Sequence, residues 1–204
     1  LDALDRVATA TLRLGDRVVV EHPTFPPLID LLEQLGCDVI GVDVDDDGID
    51  VAQLRALDPA PAAVFIQPRA QNPAGTAMSS ARARDVARAL AATATLIVED
   101  DHANDISSTA LVSVGRWLPE RTVHIRSFSK SHGPDLRLAA IGGAGDVVTA
   151  VANRRRLGPG WSSRILQAVL VELLRDGATA ETLAGAAAAY AERRHGVAAV
   201  LAGR

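Results

Sequence analysis

Short apolar segments recur along this chain, and nearly every pair is separated by a stretch long enough to form a helix. Residues 17–21 (Arg-Val-Val-Val-Glu), 38–44, 62–67, 95–98, 122–126 and 138–142 read as strands. Residues 1–14, 23–35, 49–57 and 79–92 carry helical spacing, with Gly36 as a C-terminal cap for the second of them. Strands joined through helices imply right-handed crossovers and a parallel sheet covered on both faces. The expected fold is therefore α/β, a three-layer αβα arrangement. The last pair of strands departs from the pattern. Only about eleven residues separate Arg126 from Leu138, and they include Gly133-Pro134. That is short for a helical crossover, so one antiparallel strand is expected in an otherwise parallel sheet. Helices follow at 146–157, 162–175 and 178 to the end. Residues 1–176 are expected to form one large domain and 177–204 a connector helix leaving it.

Composition limits what such a sheet can be packed with. Apolar residues make up 48% of the 204-residue chain but aromatics only 3%, so the core must come from Ala, Val, Leu and Ile. A net charge of −4 argues against non-specific attraction to nucleic acid or an anionic membrane. No apolar run approaches the ~18 residues of a membrane span, and no signal peptide is recognisable, so a cytoplasmic setting is the default. Cys37, the single cysteine, can form no internal disulfide and reads as a buried small hydrophobe.

Against 20 arginines the chain has one lysine, Lys130. Arginine stays protonated, whereas a lysine amine can lose its proton when desolvated and attack a carbonyl. Lys130 lies in Ser127-Phe128-Ser129-Lys130, just after an expected strand. Two other polar clusters hold the same place: Gln71-Asn72-Pro73-Ala74-Gly75 and Glu99-Asp100-Asp101-His102. Ligands of open parallel sheets bind beyond the carboxyl ends of the strands, so the three clusters can share one site. Singly, each has a plain alternative: a turn, a solvated strand end or a hard-metal site, and a surface turn. His132 with Ser129, Ser131 and Asp135 lies too close in sequence to converge as a triad. Arg154-Arg155-Arg156 reads as a solvated helix face or a contact with a partner subunit.

Together the clusters suit pyridoxal 5'-phosphate. That cofactor needs an amine for its aldehyde, a carboxylate for its ring nitrogen, a donor for its phenolic oxygen, and hydroxyls with a cation for its phosphate. The chain also resembles the large domain of fold-type I pyridoxal-phosphate enzymes, the class I/II aminotransferases. It is most similar to the aminotransferase-like domains of GntR/MocR-type transcription regulators. The resemblance spans nearly the whole chain. It rests on Glu21-His22-Pro23-Thr24-Phe25, on the three clusters, and on Gly133-Pro134-Asp135-Leu136-Arg137-Leu138.

The resemblance implies a role for each matching residue. Lys130 forms the Schiff base, and its amine is expected to be buried near other cations. Asp100 pairs with the pyridinium nitrogen, and Asn72 donates to the phenolic oxygen. Ser127, Ser129 and Arg137 bind the phosphate, and Phe25 either stacks on the ring or serves the core. His102 stands where the family usually has a tyrosine shortly after the aspartate. The implied activity is transfer of an amino group from an amino compound to a 2-oxo acid. The alternative is effector sensing, with DNA reached only through an upstream domain. A homodimer is implied, since such sites lie at a dimer interface. A phosphate-binding loop ahead of Leu1 and a small domain beyond Arg204 are implied too, with 177–204 leading toward the latter.

Overall fold

The computed structural model describes residues 1–202. Seven strands form one sheet: β1 (Arg17–His22), β2 (Asp38–Asp45), β3 (Gly48–Ile49), β4 (Ala63–Ile66), β5 (Leu96–Asp101), β6 (Thr122–Ser127) and β7 (Ala139–Gly143). Their order is β3-β2-β1-β4-β5-β6-β7. The four central pairings are parallel. The antiparallel strand expected after Gly133-Pro134 is β7, which pairs β6 from Val123↔Gly143 to Ser127↔Ala139. Gly143 is needed there: its φ is +123°, and a Cβ would run into the Thr122 carbonyl oxygen.

Helices α1 (Asp2–Thr11), α2 (Pro26–Gln34), α3 (Val51–Arg55), α4 (Ser80–Leu90) and α5 (Gly145–Arg155) cover the sheet. The strand period of two sorts the core between the faces. Val18 and Val20 of β1, with Phe65 and Val98, pack on one face with Leu4 and Val7 of α1, Leu28 and Leu32 of α2 and Val147 of α5. Val19, Val64, Ile66 and Ile97 point the other way, onto Leu54 of α3 and Val86 and Leu90 of α4. Three layers result. The buried apolar set is almost wholly Ala, Val, Leu and Ile, with Phe65, Met78 and Phe128 the exceptions. Two more helices follow, α6 (Arg164–Arg175) and α7 (Gly177–Ala202). Leu170 of α6 closes over Phe128 and Leu138, whereas α7 has no buried residue. No helix among the described residues is long and apolar enough to cross a membrane.

The structure differs from expectation in four places. Residue 49, expected to open a helix, instead ends the short strand β3 of a β2–β3 hairpin, and α3 begins at Val51; two paired residues are too few to show an alternating pattern. Helix α2 begins at Pro26, not at residue 23, because Pro26 and Pro27 suit a first turn whose amides need no partner. Strand β5 runs on through Asp101, past the apolar run that marked it. Cys37 is half-buried against the first core cluster rather than fully buried. The last helix is described only to Ala202; the remainder of the span expected to be helical lies outside the described residues.

Candidate active site

Three consecutive carboxylates on β5 illustrate how the sheet builds the site. Neighbouring side chains of a strand point to opposite faces, so Glu99 and Asp101 go one way and Asp100 the other. Glu99 is fully buried; its Oε1 accepts from the Val114 amide at 2.7 Å and its Oε2 from the Ser113 hydroxyl at 2.7 Å. His124 Nδ1 lies 3.2 Å from the same Oε2. Asp101 is also fully buried and accepts both arms of the Arg69 guanidinium, at 2.8 and 2.7 Å. Burial works to raise the Asp101 carboxyl, but the hydrogen bonds and charge of Arg69 outweigh it and hold it below the usual carboxylate range. Asp100 instead lines a cavity. The cluster expected just beyond the strand is thus partly inside it, and no group of acidic, histidine or cysteine side chains among the described residues could hold a metal.

That cavity, of about 360 Å³, lies at the carboxyl edge of the sheet. Ligand pockets run from roughly 300 to 1,000 Å³, so its size suits a small cofactor. Phe25, Asn72, Asp100, His102, Ser127, Ser129, Lys130 and Arg137 all line it. The eight residues assigned to the cofactor from the sequence are therefore brought to one place. Phe25, at the N-terminus of α2, lines the cavity and also packs on the core. The Ser127 hydroxyl accepts from the Ser129 amide at 3.4 Å, folding the loop that carries Lys130. Arg137 sits in the left-handed region at φ 50°. Lys130 itself is exposed, so the burial expected of it is not found here.

Several residues at the site were not picked out from sequence. Gln67, the last residue of the apolar run of β4, lines the cavity. So does Arg155, which had been read as part of a solvated or partner-facing run. Arg154 and Arg156 are exposed, but Arg155 follows buried Val151 by one helical turn and so shares its face. Its Nη2 donates to Ser162 at 2.8 Å, while its buried Nε has no hydrogen-bond partner among the described residues. That spacing was a usable signal. Leu1, Asp2 and Ala3, at the N-terminus of α1, line the cavity too. Asn104, fully buried, braces the lysine loop: its Nδ2 donates to the Ser127 carbonyl at 2.9 Å and its Oδ1 accepts from Arg126 Nε at 2.8 Å. Gln71 is structural; its amide joins the Pro23 carbonyl to the Ala74 amide.

Two titratable groups are shifted here. Burial, and then the positive charge of Lys130, push the His102 imidazole below its usual value against the pull of Asp100 and Asp101. Its Nδ1 is buried with no hydrogen-bond partner among the described residues. Glu21, at the end of β1, is pushed up to about 7, mainly by burial and in smaller part by the charge of Asp100, against hydrogen bonds from Gln67 and Gln71. An amine, a carboxylate, neutral donors and a hydroxyl–guanidinium set in one cavity fit pyridoxal 5'-phosphate. The unpaired Nδ1 of His102 adds a polar atom that a ligand oxygen would satisfy.

Fold and site define a class, and the match to known families agrees with it. Residues 1–203 match the model of the family described as aminotransferase class I and II; the chain belongs to that family, whose cofactor is pyridoxal 5'-phosphate. Among curated relatives, the vitamin B6 salvage pathway transcriptional repressor PtsJ of Salmonella typhimurium is 36% identical over 98% of this chain and 47% of its own length. Aminotransferase swnA of Metarhizium robertsii is 29% identical, over 90% of this chain and 40% of its own. The chain thus spans about half the length of the relatives it matches or less. In fold it follows the aspartate aminotransferase of Thermus thermophilus solved with maleate, at a TM-score of 0.86 and 22% identity over 95% of this chain and 52% of that one.

Proposed function

We propose that this chain is the effector-sensing domain of a MocR-type transcription regulator, in which Lys130 holds pyridoxal 5'-phosphate as a Schiff base. The supporting observation is that the eight residues selected for this cofactor line one cavity. When bound, the cofactor supplies an aldehyde that captures amines and a ring that accepts electrons. Asp100 holds the proton of the ring nitrogen. Asn72 and His102 donate to the phenolic oxygen; a His102 kept neutral has one N–H to give. Ser127, Ser129 and Arg137 bind the phosphate, aided by the amide-bearing N-terminus of α1. Phe25 covers a ring face. Lys130, exposed beside the cavity, would hold the cofactor through its amine and would be the group placed to carry a proton to or from a bound amino compound.

The sensing role draws on the 36% identical relative, which is named as a repressor of a vitamin B6 pathway; pyridoxal 5'-phosphate is itself a form of that vitamin. A cytoplasmic homodimer with a DNA-binding segment elsewhere in the protein belongs to the same reading. Trp161 and Ile165, beside and at the start of α6, are about three-quarters exposed and support pairing of two copies. Residues 1–176 are then the cofactor domain and 177–204 the connector, consistent with an α7 that buries nothing. A second reading, turnover as an aminotransferase passing an amino group to a 2-oxo acid, is favoured by the complete Lys130, Asp100 and Asn72 set.

Borohydride should fix added pyridoxal 5'-phosphate to the protein, and Lys130→Ala should abolish that fixation. Fixation that persists in the variant overturns the assignment. A panel of amino acids then separates the two readings: full conversion of the cofactor to its amine form supports the enzyme, and a spectral shift without conversion supports the sensor.

A further inference from the structure

Gln67 occupies a position that neither the cofactor chemistry nor the fold explains by itself. It directly follows β4, is 8% exposed and lines the cavity. Its side-chain Nε2 donates to Asp100 Oδ2 at 3.1 Å. Its Oε1 accepts from the backbone amide of Asn72 at 2.8 Å. Its own backbone amide donates to the buried Glu21 Oε2 at 3.1 Å. The two side-chain bonds fix the amide in one orientation, since a flipped amide would set donor against donor at Asn72 and acceptor against acceptor at Asp100. No other side-chain hydrogen bond engages the Asp100 carboxylate among the described residues, so Oδ1 is the oxygen free to meet a ligand.

We infer that Gln67 is a positioning residue, a single amide that holds the Asp100 carboxylate and the Asn72 backbone at the mutual spacing the cofactor ring requires. The inference rests on the cofactor reading above. An apolar side chain of similar length would leave Asp100 free to rotate. It would also let the loop that carries Asn72 drift from β5. Both ring contacts then weaken together, although Gln67 touches neither the lysine nor the phosphate-binding group.

The test is titration of the full chain with pyridoxal 5'-phosphate across a pH series, for the wild type, Gln67→Met and Gln67→Glu. Gln67→Met should weaken cofactor binding roughly tenfold, the scale of one hydrogen bond to a charged group. It should also move the pH midpoint of the visible band upward. A ring nitrogen less firmly protonated no longer opposes protonation of the neighbouring nitrogen. Gln67→Glu should bind weakly at high pH, where the new carboxylate repels Asp100, and recover as pH falls and the new carboxyl can donate as the amide did. A purely structural role would not produce that recovery. Wild-type affinity and midpoint in Gln67→Met, or a Gln67→Glu affinity that ignores pH, sink the inference while leaving the cofactor reading intact. A wild type that shows no band sinks both.

Discussion

The two faces of β5 present the same chemistry with opposite outcomes. On one face Glu99 and Asp101 are fully buried and saturated, by Ser113 and Val114 in the first case and by both arms of Arg69 in the second. On the other, Asp100 has one protein partner, Gln67, and borders a cavity. A buried carboxylate survives only when its partners repay its lost hydration, and such a group has no capacity left for a ligand. A carboxylate left partly unsatisfied beside a cavity can offer its charge to something that binds there. Satisfaction, more than residue type or burial alone, separates the structural acid from the functional one.

The difference can be broken first on the saturated face. Asp101→Ala strands the Arg69 guanidinium in a site where it is almost fully enclosed. We expect a loss of about 3–5 kcal/mol, measured by urea unfolding, as for other buried pairs that lose one member. A loss below 1 kcal/mol would show that the pair is solvated and the contrast with Asp100 misjudged.

Glu21 gives the next effect, as a buried acid with no cation to repay it. Its folded value of about 7 lies above the ordinary value of 4.5. The folded state therefore binds the proton more tightly than the unfolded chain. The resulting stability is fully present below about pH 4.5 and is lost as pH rises through 7. The shift corresponds to about 3 kcal/mol over that window. Glu21→Gln should flatten this part of the stability–pH curve; parallel curves for variant and wild type would contradict it.

The smallest change in stability is expected on the cavity face. Asp100→Asn keeps the volume and gives up only one hydrogen bond to Gln67, so unfolding free energy should move by no more than about 1 kcal/mol. Cofactor affinity should instead fall by an order of magnitude or more, read by fluorescence titration, because the ring nitrogen loses its counter-charge. A variant that loses stability but keeps affinity would reverse the roles given to the two faces.

Much of this was legible in the chain. The alternation of apolar runs and helical stretches announced the parallel sheet, and Gly133-Pro134 in a short connection announced β7. The clusters around Asn72, Asp100 and Lys130 marked the cavity before any coordinates. Other parts were not legible. Gln67 looked like the tail of a strand, because its two partners are 5 and 33 residues away in sequence and nothing local specifies them. Arg155 was hidden in a charged triplet, where only its register with Val151 distinguishes it. Lys130 proved exposed, because burial depends on what packs above a loop, which local sequence does not encode.

By itself, then, the sequence determined the layers, the direction of the strands and the identity of the one amine able to do carbonyl chemistry. These follow from periodicity and composition, which are local properties. The family resemblance had pointed to Asp100, but only the tertiary structure supplied the physical reason that this one of three adjacent carboxylates faces the cavity. That choice depends on where β5 ends and which side chains from distant segments repay each buried charge. A strand that stops one residue earlier or pairs in another register would present a different acid to the same lysine.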